Sequence, residues 1–207
     1  MNELQETIKK ILASGKGVLA ADASTPTMTK RFEKVGIEST EETRRQFRQL
    51  LVTTPDLEKY IGGVILFDET IRQRLDNGKT FSEHLASRGI LPGIKVDEGT
   101  EPFGGSENEK ITKGLDGLAG RLGEYVVMGA KFTKWRAVIT IGKGIPTLEC
   151  IQANADTLAE FAFASQAKGF VAIPEPEVVM DGNHTIKKCE EITIETLQAL
   201  FKSLKTQ

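Results

Sequence analysis

Gly62-Gly63-Val64-Ile65-Leu66-Phe67 is apolar from end to end, with no polar residue alternating through it. A run this short reads as a strand, and one without alternation has both faces covered. That is the pattern of a parallel sheet with helices packed on it, not of a sheet with one wet face. Upstream, residues 3–14 carry Leu4, Ile8, Ile11 and Leu12 at helical spacing. Gly15-Lys16-Gly17 ends that helix, and Val18-Leu19-Ala20-Ala21-Asp22 reads as a buried strand closing on a carboxylate.

Downstream the alternation continues. Ser39 with Glu42 predicts a capping box before a helix carrying Phe47, Leu50 and Leu51. A short helix over 80–88 precedes a strand from Ile94 to Asp97. Residues 98–113 are polar and rich in Gly and Glu, so they read as a long loop, with Gly104-Gly105 as a turn. A helix around 115–129 leads to a strand through Lys134 that runs to about Ile141. Asn154 is the predicted cap of a helix containing Leu158, Phe161 and Ala162, and Gly169-Phe170-Val171-Ala172-Ile173 is a fifth strand, followed by Pro174-Glu175-Pro176-Glu177. A last helix over 185–205 places Leu197, Leu200, Phe201 and Leu204 on one side. Five strand–helix alternations without a linker predict one α/β domain over 1–207. Eight such units would need roughly 300 residues at this spacing. The choice is therefore an open five-stranded sheet or part of a (β/α)8 barrel.

Composition narrows the function classes. The 207 residues are 39% hydrophobic and 27% charged, with a net charge of −2, so no electrostatic case exists for nucleic acid or an anionic membrane. No apolar run approaches the ~20 residues of a spanning helix, and the polar start Met1-Asn2-Glu3-Leu4 shows no signal peptide. Two distant cysteines, Cys150 and Cys189, suggest no disulfide framework; a reduced, cytoplasmic setting is expected. His84 and His184 stand apart from any metal-ligand cluster, so no metal site is predicted.

The ionisable residues collect at strand ends. Asp22, Lys95 with Asp97, Lys134 with Arg136, and Glu175 with Glu177 all follow or close predicted strands. The C-terminal edge of parallel strands is the functional edge in barrels and open sheets alike. Lys134 and Arg136 are two apart and share a face, with Trp135 on the other. A neighbouring cation disfavours a second positive charge and frees an amine for carbonyl chemistry. Glu175 and Glu177 also share a face and could divide acid and base roles. Both signs of charge on one edge suit acid/base chemistry on an anionic sugar. Ser24-Thr25-Pro26-Thr27 could open a helix whose N–H groups hold a phosphate. Gly15-Lys16-Gly17 lacks the glycine spacing of a Walker motif.

Taken together, Gly15–Asp22, Gly63–Phe67, Leu91–Asp97, Gly114-Leu115-Asp116-Gly117-Leu118, Lys134-Trp135-Arg136-Ala137-Val138, Glu175-Pro176-Glu177 and Asp181-Gly182-Asn183-His184 closely resemble class I fructose-bisphosphate aldolase, in family order. The resemblance implies a (β/α)8 TIM barrel of which this chain carries about five units. It implies a lyase that cleaves fructose 1,6-bisphosphate reversibly to dihydroxyacetone phosphate and glyceraldehyde 3-phosphate in glycolysis and gluconeogenesis. The family uses a lysine imine and no metal or other cofactor. Asp22 would orient the substrate hydroxyls; Ser24, Thr27 and Lys95 would bind the remote phosphate. Lys134 would stabilise charge as the carbinolamine forms, and Arg136 would position it. Glu175 would be the general acid/base, and Glu177 would hold the charge network. Implied partners are small sugar phosphates and, since the family often forms tetramers, copies of the same chain. Two departures stand out. Ala23 replaces a family glutamate, and the imine lysine is expected on a sixth strand beyond Lys205-Thr206-Gln207. The alternative to an enzyme is an inactive sugar-phosphate-binding or interaction module.

Overall fold

In the computed structural model, which describes residues 3–13 and 15–206, the apolar runs are the strands of one sheet. Met1, Asn2, Ser14 and Gln207 lie outside the described residues, so the predicted end of the first helix at Ser14 does too. In chain order the elements are α1 (Glu3–Ile11), β1 (Gly17–Ala20), α2 (Thr25–Glu33), α3 (Glu41–Val52), α4 (Leu57–Tyr60), β2 (Ile61–Leu66), α5 (Asp68–Arg72), α6 (Phe81–Ser87), β3 (Leu91–Lys95), β4 (Thr100–Phe103), β5 (Ser106–Thr112), α7 (Leu118–Val127), β6 (Phe132–Ile139), α8 (Leu148–Ala167), β7 (Val171–Val178) and α9 (Ile186–Thr206). The sheet order is β1-β2-β3-β6-β7, and β4 pairs with β5 as a separate hairpin. By contact density the chain divides into two compact units, described in turn.

The first unit comprises 1–95, 123–133 and 169–171. β1 pairs parallel to β2, with Ala20 opposite Ile65, and β2 parallel to β3, with Leu66 opposite Ile94. Val64, Leu66, Phe81, Leu85, Ile90 and Ile94 are fully buried around these strands. Two glycines have a steric purpose. A Cβ on Gly93 would sit 2.3 Å from the Phe132 ring, and one on Gly63 would sit 3.0 Å from it. The buried ring therefore lies directly on backbone, where any side chain on Gly93 would displace it. Thr40, not Ser39, caps α3: its hydroxyl accepts from Thr43 N, and the Thr43 hydroxyl accepts from Thr40 N. Ser39 is instead bound by Thr29 Oγ1 and Arg44 Nη1. Leu50 is 67% exposed, because α3 turns Arg48 and Val52 inward.

The second unit comprises 96–122, 134–168 and 172–207. The stretch expected to be a loop contains the β4–β5 hairpin, turning at Gly104 and Gly105, both with positive φ. Its polarity misleads because much of the hairpin is exposed, where charged residues are tolerated. The hairpin is fastened to α8 by a buried carboxylate: Glu109 Oε1 accepts from Thr147 N (2.7 Å) and Thr147 Oγ1 (2.9 Å). Thr147, rather than Asn154, is the cap of α8, accepting from Cys150 N. Asn154 lies buried inside the helix and donates to the carbonyls of Cys150 and Lys110.

α9 buries Ile192, Thr196, Leu200 and Ser203, so the predicted stripe is rotated: Leu197 is partly exposed and Phe201 is 60% exposed. Hydroxyls replace methyls on the inward stripe because each is satisfied, Ser203 by Asp156 and Thr196 by the Ile192 carbonyl. The Pro174–Glu177 segment lies within β7, the last strand in the sheet order among the described residues. Val171 N and Val179 N donate toward β6, to Lys131 O and Ile139 O. By alternation the even positions, with Pro174 and Pro176, put their missing donors on the outer side, which is where a strand tolerates proline.

Two outcomes are expected. Gly93→Ala should lower stability by about 1–3 kcal/mol in urea denaturation, because the Phe132 ring must move. Gly120→Ala, on α7 where a Cβ meets open space, should raise it by up to about 1 kcal/mol. The Cys150 thiol is pushed up to about 11, first by burial and then by Glu109, so it stays protonated through neutral pH. At pH 8, Cys150 should therefore alkylate only on unfolding, as read by mass spectrometry.

Candidate active site

β6 has period-2 alternation, and its inner face carries Phe132, Lys134 and Arg136 in succession. Trp135 points the other way, fully buried, with its ring 5.5 Å from that of Phe161 on α8. The predicted opposition of Trp135 to the two cations is thus what the strand forms. Their position is not quite as expected: Lys134 and Arg136 are the third and fifth of eight strand residues, not at the strand end. Glu175 and Glu177 likewise lie inside β7.

The two strands bring these groups together in register. Lys134 Nζ is 2.8 Å from Glu175 Oε2, and Arg136 Nε donates to Glu177 Oε2. Lys134 is only 7% exposed, whereas Glu175 and Glu177 are partly open to solvent. A buried ammonium against a half-exposed carboxylate is a pair between which a proton can pass to a third group. The base of the array is fixed by backbone. Arg136 N donates to Asp97 Oδ2, Gly99 N to Asp97 Oδ1, and Thr112 Oγ1 to the Arg136 carbonyl at 2.8 Å. Val96 N bonds the Lys134 carbonyl, so Asp97 leaves β3 beside β6.

In the first unit, Asp22 follows β1 by two residues and is buried, and Lys95 is the last residue of β3. Because β1, β2 and β3 are parallel, both lie at the C-terminal edge. Ser24 stands at the N-cap of α2 with no capping bond of its own, and its hydroxyl meets Thr27 Oγ1 at 3.1 Å. These two hydroxyls stand at the start of a nine-residue helix.

Sequence reading missed Arg48. It is 3% exposed, donates from Nη2 to the Ala23 carbonyl at 2.5 Å, and rests Nη1 on Met28 Sδ at 3.5 Å. Burial holds its guanidinium below the usual arginine range, opposed by the charges of Asp22 and then Glu69. Arg44, one turn earlier, grips Glu69 with two bonds of 2.9 and 2.6 Å, which raises the Arg44 guanidinium. The signal was present: Arg44, Arg48 and Val52 recur every four residues, so the arginines belong to the inward stripe.

The sequence matches the family described as "Glycolytic: Fructose-bisphosphate aldolase class-I" over residues 3–207. It is 53% identical over its whole length to a probable fructose-bisphosphate aldolase class 1 of Xanthomonas campestris, of which it covers 62%. It is 48% identical over 204 residues to fructose-bisphosphate aldolase of Drosophila melanogaster, covering 98% of this chain and 56% of that one. Among solved structures, fructose-bisphosphate aldolase from Plasmodium falciparum superposes with a TM-score of 0.94 at 44% identity, over 98% of this chain and 59% of that one. The fold class is that of a partial TIM barrel with five parallel strands. The chain thus spans about three fifths of the length of these relatives. It belongs to the class I fructose-bisphosphate aldolase family.

Proposed function

We propose that these residues serve the metal-independent, imine-based cleavage of fructose 1,6-bisphosphate to dihydroxyacetone phosphate and glyceraldehyde 3-phosphate. The observation that carries this reading is the pair of rungs between β6 and β7, Lys134–Glu175 and Arg136–Glu177, in a chain of this family. An amine that adds to the ketose carbonyl gives up one proton as the oxygen gains one, forming the carbinolamine, and a second proton must reach that oxygen before it leaves as water. Glu175 relays the first proton and, from its carboxyl form, supplies the second, ending as the carboxylate. Lys134 faces the developing oxyanion with a positive charge held in a nearly dry place, where it is worth more than in water. Arg136, tied to Glu177, keeps the second carboxylate in place. Asp22 orients the hydroxyls of the cleaved carbons. Lys95, Ser24 and Thr27 take the phosphate furthest from the imine. The imine amine itself comes from the sixth strand of the family barrel.

Borohydride trapping with dihydroxyacetone phosphate tests this division of labour. Polypeptide 1–207 should form no covalent adduct; an adduct at Lys134 or Lys95 would overturn the assignment. In the gene product that carries these residues, Glu175→Gln should lower kcat by about 10²-fold or more. Unchanged turnover would remove Glu175 from the mechanism.

A further inference from the structure

We propose that Arg48 is a positioning residue that sets the placement of Asp22. The inference rests on the substrate-orienting role assigned to Asp22 above. Arginine is almost never fully buried without a partner, and removing its charge from water costs several kcal/mol. Arg48 is buried all the same, and its Nε has no hydrogen-bond partner among the described residues. Its strong bond goes to backbone: the carbonyl of Ala23, next to Asp22 in the turn between β1 and α2. Its other nitrogen leans on Met28 inside α2. One planar group on α3 therefore holds the turn that presents Asp22 and the helix that follows it.

Electrostatics favours the same target. Of the acids that act on Arg48, Asp22 acts most strongly and Glu69 next, and Glu69 is already clasped by Arg44. Simple packing does not explain the residue, because an apolar side chain of similar volume would fill the space without the desolvation cost. Position 23 is alanine, so no side chain there can substitute for the grip on its carbonyl. Lysine would keep the charge but not the fork that spans the carbonyl and the sulfur.

A double-mutant cycle in the gene product carrying these residues decides the matter, using Arg48→Lys, Arg48→Gln and Asp22→Asn with steady-state kinetics on fructose 1,6-bisphosphate. Arg48→Lys should lower kcat about tenfold or more, with KM changed less than about threefold, since misplacement of an orienting group acts on the reacting geometry. Added to Asp22→Asn, it should cost less than about twofold further, because coupled residues are not additive. Losses that multiply, or wild-type kinetics for Arg48→Lys, would overturn the proposal. So would failure of both Arg48 variants to fold, judged by circular dichroism, because a purely structural role would then account for the residue. If the unsubstituted protein does not cleave fructose 1,6-bisphosphate, it is the functional reading that fails, whatever the Arg48 variants do.

Discussion

The contact of the Phe132 ring with the bare backbone of Gly63 and Gly93 governs how β2, β3 and the start of β6 meet. An aromatic ring laid on glycine removes a large apolar area from water and leaves no room for a Cβ. It also sets the phase of β6. With Phe132 inward, period-2 alternation turns Lys134 and Arg136 to the same face and sends Trp135 into the helix layer. A one-residue slip would bury the cations among apolar side chains and expose the indole.

Burial divides the tasks among the charged groups. Lys134 is nearly dry while its partner Glu175 is half open, so the cation is held still and the acid can meet water or substrate. Asp97 adds no rung. It accepts from the backbone of Arg136 and Gly99, which fixes where β6 passes the end of β3. Arg48 works in the same manner on the β1–α2 turn, gripping a peptide carbonyl instead of a side chain. In both places a charged side chain bonds to main chain, whose position does not depend on side-chain rotamers.

Most of the strands were legible because doubly covered strands are apolar runs that few other elements imitate. The grouping of Lys134 with Arg136, and of Glu175 with Glu177, followed from alternation alone. What was not legible has particular causes. The β4–β5 hairpin is partly wet and polar, so it resembles a loop by composition. The caps of α3 and α8 lie one residue later and seven residues earlier than predicted, at Thr40 and Thr147, because several hydroxyls and amides compete and only tertiary contacts choose among them. Leu50 and Arg48 exchange their expected places because a charged side chain can point inward once it has a carbonyl to hold. Hydrophobicity ranks such residues wrongly; spacing ranks them correctly.

The prolines of β7 set what can pair along its outer side. Strand edges invite addition of any extended segment, since open N–H and C=O groups form a template. Here Pro174 and Pro176 leave the outer side with acceptors but without donors at two successive even positions. A neighbour must therefore give hydrogen bonds there and can receive none, a one-way ladder that penalises strangers whose own carbonyls would be stranded. Along that side β7 selects a pairing segment by backbone chemistry, before any side chain is consulted.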